Sequence, residues 1–162
     1  MTTRKTTLFI VQAAVIAALY TVLTLVSAAF GLSSGVIQVR LSECLTVLPV
    51  FTPAAVPGLA LGCVISNLVT GCALWDVVFG SLATLIGAVG TYLLRKHPFA
   101  APVPPILSNM LIVPYLLSYV YGAEGTIPFF MLTVGAGEII SCGVFGTMLY
   151  LALRKHENIF KI

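Results

Sequence analysis

Six apolar runs, separated by glycines, prolines and basic clusters, make up the chain. The first extends from about Thr6 to Phe30 and stops at Gly31-Leu32-Ser33-Ser34-Gly35. The second, about Ile37–Phe51, is ended by Thr52-Pro53 and Pro57-Gly58, and the third, about Pro53–Thr70, by Gly71. The fourth, Trp75–Leu94, closes on Arg95-Lys96-His97-Pro98. The fifth, about Pro104–Tyr121, contains Pro114 and precedes Gly122; the sixth, Ile127–Leu153, closes on Arg154-Lys155-His156. Proline and glycine break helices and mark turns, so these boundaries predict six helices. Runs one, four and six are continuous and about twice the roughly 10 residues of an alternating barrel strand, which excludes a β-barrel.

Composition turns these helices into membrane spans. The 162 residues are 59% hydrophobic and 8% charged, against about 25% charged in a soluble domain. So few charges cannot cover a water-facing surface. A hydrocarbon core of about 30 Å takes roughly 20 helical residues, so the length allows five or six helices in a single membrane domain over residues 1–162, with no soluble domain beside them. The first run is longer than the apolar core of a cleaved signal and shows no small-residue cleavage site tied to a short core.

Charge sets the orientation. Arg4-Lys5, Arg95-Lys96, Arg154-Lys155 and Lys161 hold seven of the eight basic residues. Six spans place all seven on one side, which the positive-inside rule makes cytoplasmic together with both termini. Tyr92 and Tyr150 fall where an interfacial aromatic belt expects them. Arg40 is the exception, near the outer end of run two.

Ionisable groups inside membrane segments are costly and face the bundle interior with a partner. Arg40 and Glu43 are three residues apart on one helical face; they form either a self-neutralising pair or part of a ligand site. Glu138 has no local partner. It shares a helical face with Gly135, Cys142 and Gly146, whose small side chains let helices approach closely, and it either contacts a ligand or pairs with Arg40. Asp76 either caps its helix or faces a solute. Gln38, Asn67, Trp75 and Tyr119 complete a polar and aromatic set in the outer third, with an interfacial anchor as the alternative for Trp75. Asn109 suits an interhelical hydrogen bond. The cytoplasmic halves hold almost nothing polar except their basic ends. A channel needs polar lining throughout, so the pattern describes a pocket open to the outside.

Other chemistry is sparse. Cys44, Cys63, Cys72 and Cys142 lack metal or redox spacing and read as small apolar fillers. His97 and His156 lie on the side opposite the acids, so no catalytic triad forms and no metal or cofactor is expected. No lysine follows a glycine, so the chain has no phosphate-binding loop; an ATPase would be another chain. Ala13/Ala17 and Ala14/Ala18 form two interleaved small-xxx-small pairs on run one, suited to docking a partner or to packing within the bundle.

The run Gln38-Val39-Arg40-Leu41-Ser42-Glu43, followed by Leu45-Thr46-Val47-Leu48-Pro49 and Phe51-Thr52-Pro53-Ala54-Ala55-Val56-Pro57-Gly58-Leu59, resembles the QueT family, as does Asp76–Leu85. These are queuosine-precursor S components, the substrate-binding membrane subunits of energy-coupling factor (ECF) transporters. The resemblance implies a six-helix bundle that binds its solute near the outer face. It also implies docking through small residues of helix one to a transmembrane coupling subunit carrying two ATPases, and toppling in the membrane for release. For a 7-deazaguanine solute, Glu138 would read the two-donor edge and Asp76 an amine. Arg40 and Glu43 would form a polar wall, with Arg40, Gln38 or Asn67 meeting the carbonyl and Trp75 or Tyr119 the ring face. An S component for another heteroaromatic vitamin, or an intramembrane acid/base enzyme using Glu43, Asp76 or Glu138, are the alternatives.

Overall fold

The computed structural model describes residues 3–32 and 37–160, and these are mostly helical with no strand among them. Lys161 and residues 33–36 of the first loop lie outside the described residues. Helix α1 is Thr3–Ala29, α2 Leu41–Val50, α3 Ala55–Val69, α4 Leu74–Leu93 and α5 Val103–Tyr119. Helix α6 starts as Ile127–Glu138, widens into a π turn at Ile139–Phe145 and resumes as Gly146–Leu153. Proline opens α5 and α6, where its missing N–H costs nothing. Gly71, Gly122 and Gly31 adopt positive φ at three of the turns between helices, a conformation glycine reaches without a Cβ penalty.

Four helical stretches are long and apolar enough to cross a membrane: Thr3–Ala29, Leu74–Leu93, Pro98–Tyr119 and Ile127–Phe160. Their outward faces carry bare aliphatics such as Val11, Val15, Leu82, Leu107 and Leu132, the surface that lipid requires.

The second segment differs from a lipid-facing span. Residues 38–40 have no regular secondary structure, with Arg40 extended, and α2 is a 3-10 helix of ten residues with Pro49 inside it. At about 2.0 Å per residue it covers only roughly 20 Å. It is surrounded by α1, α3, α4 and α6, so it never needs to match the bilayer. Backbone groups at membrane depth must be satisfied internally. Here Val39 N–H donates to the Leu32 carbonyl (3.0 Å) and Leu41 N–H to Ser27 Oγ (2.9 Å).

Small residues set the helix spacing. A Cβ on Gly58 would come within 2.8 Å of the Ala13 carbonyl, and one on Gly62 within 2.9 Å of the Ala17 carbonyl. Helices α1 and α3 therefore pack backbone to backbone, and Ala13 and Ala17 are buried between them. Ala14 and Ala18 are exposed. Of the two interleaved alanine pairs, one builds the bundle and the other is free on its surface. Gly87 and Gly90 play the same part in α4, meeting Pro105 and Pro104 of α5. The apolar core gathers Ile16, Tyr20, Leu45, Leu48, Leu59 and Cys63.

The two ends of the bundle differ. At one, Gln12 Nε2 donates to the Ile159 carbonyl (3.4 Å), and Phe51 stacks on Tyr150 and Phe160. Phe99 meets the edge of Tyr150 and Arg95 lies over the Tyr92 ring. The start of α1, the α4–α5 connection and the end of α6 are thus neighbours, and Arg4, Lys5, Arg95, Lys96, Arg154 and Lys155 lie there. This end is cytoplasmic by the positive-inside rule. The chain is a multi-pass protein of the plasma membrane.

Candidate functional site

The opposite, outer end holds a cavity of about 240 Å³, lined by the polar Gln38, Arg40, Asn67 and Asp76 and by the apolar Val113, Leu116 and Leu117. Thr24, Ala28, Thr70, Cys72 and Tyr121 complete its wall. Four of the eight expected contact residues meet in this space, brought there by three elements: the lead into α2, the end of α3 and the start of α4.

Asp76 occupies the first turn of α4 but does not cap it; no side-chain cap is made there. Its Oδ2 accepts a hydrogen bond from the Tyr121 hydroxyl (2.8 Å), and that hydroxyl also accepts from the Ala73 N–H (3.3 Å). Loss of water around the ring and the Asp76 carboxylate beside it raise the Tyr121 pKa above its ordinary value, so the phenol stays a donor at neutral pH. The helix N-terminus adds a favourable field for the carboxylate. Asn67 Nδ2 donates to the Asp76 carbonyl (3.3 Å), tying α3 to α4 beneath the cavity floor.

Arg40 does not pair with Glu43. Glu43 is fully buried, and its Oε1 accepts a hydrogen bond from the Tyr20 hydroxyl of α1. Among the described residues the Arg40 side chain makes no ion pair or hydrogen bond, with Glu138 or any other partner, and, half-buried, it lines the cavity; only the Arg40 carbonyl is engaged, accepting from the Glu43 N–H (3.1 Å). Its separation from Glu43 follows from local geometry. Arg40 is extended while Glu43 lies in the first turn of the 3-10 helix.

Below Arg40 a narrow cleft of about 10 Å³ continues past Gln38, Val113, Asn109 and Val134 to Glu138. That is space for about one water. Glu138 Oε2 accepts from Cys142 Sγ (3.1 Å). Asn109 Nδ2 is buried there without a hydrogen bond.

Trp75 and Tyr119 are not in the cavity. They are 61% and 76% exposed and line a separate outward groove between α4 and α5 with Phe79 and Tyr115. Each stacks on a helical neighbour, Trp75 on Phe79 and Tyr119 on Tyr115. Tyr121, two residues beyond Tyr119, is the aromatic at the cavity. Its place just before Gly122 is the signal in the sequence: the chain turns back there over the start of α4. Tyr20 joins the site as well: a tyrosine on the Ala13/Ala17 face of an apolar helix needs a buried partner for its hydroxyl, and Glu43 provides it.

Residues 10–155 match the family described as QueT transporter. The chain belongs to that family. It is similar to the protein named queuosine precursor transporter QueT of Lactococcus lactis subsp. cremoris (strain MG1363), with 38% identity over 78 residues. That match covers 48% of this chain and 45% of the relative, so it spans about half the length of either. No solved structure matches the chain. The family is one of transporters, which sets aside an intramembrane acid/base enzyme built on Glu43, Asp76 or Glu138.

Proposed function

We propose that the protein is the substrate-binding subunit of an ECF-type transporter and that its solute is a queuosine precursor, a 7-deazaguanine base. The observation that carries this reading is the outer cavity lined by both an unpaired guanidinium, Arg40, and a carboxylate, Asp76, in a chain of the QueT transporter family. Its volume of about 240 Å³ is below the roughly 300–1,000 Å³ of sites for drug-sized ligands, which suits a small flat heterocycle. The N1–H and exocyclic amine of such a base form a two-donor edge that a carboxylate accepts in bidentate fashion. Asp76 fits this role better than Glu138, because the cleft before Glu138 is too narrow for a ring. Arg40 supplies donors to the ring carbonyl, Gln38 and Asn67 supplement them, and the Val113–Leu117 side receives the apolar face.

Release inward needs partners. The exposed Ala14/Ala18 pair on α1, continued by bare Val11, Val15 and Val22, supports docking on a transmembrane coupling subunit with two associated ATPases. Small residues there permit close helix–helix approach.

Mass spectrometry of the solute that co-purifies with the protein in detergent tests the substrate. A 7-deazaguanine base is expected, and titration of the stripped protein with it should give saturable binding. Recovery of a different heteroaromatic vitamin would retain the transport class and overturn the solute. A chemically converted product would overturn both.

A further inference from the structure

Behind the cavity, at the centre of the bundle, α2 and the π turn of α6 bring Glu43, Glu138 and Cys142 together. All three are at least nine-tenths buried. One oxygen of each carboxylate and the Cys142 sulfur lie within 4.8 Å of one another. The π turn begins directly after Glu138 and contains Cys142, and turns of this kind occur often at functional sites. Two acids side by side in a membrane interior do not by themselves make a site. The second observation is the other half of the Glu43 carboxylate: Tyr20 satisfies Oε1, but Oε2 is buried with no hydrogen-bond partner. A buried acceptor on an acid is costly to leave unmade.

We propose that Glu43, Glu138 and Cys142 bind a divalent cation of the zinc type. The donor set is two hard oxygens and one soft sulfur, which suits a borderline metal better than magnesium or calcium. Zinc–oxygen and zinc–sulfur bonds of about 2.0–2.3 Å place ligand atoms about 3.5 Å apart. The Cys142–Glu138 separation of 3.1 Å and the 4.8 Å limit for the full set bracket that value. Thr46 Oγ1, 3.4 Å from the sulfur, borders the same space. Two carboxylates and a thiolate carry three negative charges, of which a divalent cation cancels two. The cleft past Arg40 supplies the entry path. Three protein ligands leave one position open, as in zinc sites that take an exogenous ligand. Binding replaces the thiol proton by the metal, so one proton leaves per cation from Cys142.

The test uses the full chain in detergent, treated with chelator and titrated with cadmium as a spectroscopic probe. The background carries Cys44→Ser, Cys63→Ser and Cys72→Ser, so any thiolate-to-cadmium absorption comes from Cys142. One cadmium per chain, competed by zinc, is expected. The band should vanish in Cys142→Ser, and the cadmium Kd should rise at least tenfold in Glu43→Gln. If the triple background elutes as aggregate, comparison of the unaltered chain with Cys142→Ser alone gives the same readout. No band at saturating cadmium in folded protein would overturn the site, and so would a band that survives Cys142→Ser. An affinity unchanged by Glu43→Gln would also overturn it, leaving water or a shared proton in the gap. The measurement needs no solute and no transport, so its failure leaves the proposed function intact.

Discussion

Arg40 is a guanidinium held in a cavity without a carboxylate partner, and that single fact separates two kinds of residue. A structural arginine in a membrane bundle is neutralised by its own protein; one that waits for a ligand is left short of acceptors. Removing one member of a buried ion pair costs about 3–5 kcal/mol because the other charge is stranded. Removing an unpaired, half-buried charge strands nothing. Arg40→Met should therefore leave the melting temperature of the solute-free protein unchanged or raise it. Solute affinity should fall at least tenfold, equivalent to about 1.4 kcal/mol. Titration calorimetry and an unliganded melting curve measure the two effects, and a large loss of unliganded stability would return Arg40 to a structural role. The sequence shows Arg40 and Glu43 three positions apart but not that the chain is extended at one and helical at the other. Their roles diverge for that reason: Glu43 turns to Tyr20 and Arg40 to the cavity.

At the scale of elements, the apolar runs and their proline and glycine breaks locate five helices to within a few residues. Burial and lipid exposure depend on run length, and run length is visible in a sequence. Two features are not visible. A 3-10 helix places residues i and i+3 in line just as an α-helix places them on one face, so α2 could not be distinguished by spacing. The π turn inserts a single residue, which leaves the apolar pattern of run six intact. The alanine pairs were ambiguous for a related reason. Ala13/Ala17 and Ala14/Ala18 differ by one residue, or about 100° around the helix, and only the position of Gly58 and Gly62 decides which pair faces inward. This gives opposite outcomes for similar changes. Gly62→Val forces a branched side chain against the Ala17 backbone and Tyr20 Cβ, and should destabilise the fold by about 1–3 kcal/mol, seen as a lower melting temperature. Ala14→Leu with Ala18→Leu adds bulk only outside the bundle. Folding and solute binding should persist while uptake in cells fails, because backbone approach by the coupling subunit is blocked. Equal loss of binding and uptake would place that face inside the fold.

Over the whole molecule, polarity is graded along the bundle axis. The described basic residues other than Arg40 and an aromatic cluster of Phe51, Phe99, Tyr150 and Phe160 occupy the cytoplasmic end, and the cavity, with Arg40, the outer end. Cys72 reports on this arrangement directly. It follows α3 on the outer side, lines the cavity and is half-buried. Cys63 and Cys142 are buried, and Cys44, half-buried on α2, does not line the outer cavity. A membrane-impermeant maleimide applied to intact cells should therefore label the chain once, and Cys72→Ser should abolish the label. Saturating solute should slow the labelling at least tenfold, because it fills the space beside the thiol. Labelling only after the membrane is permeabilised would invert the topology. Labelling from outside that is indifferent to solute would keep the topology and remove the solute from this cavity.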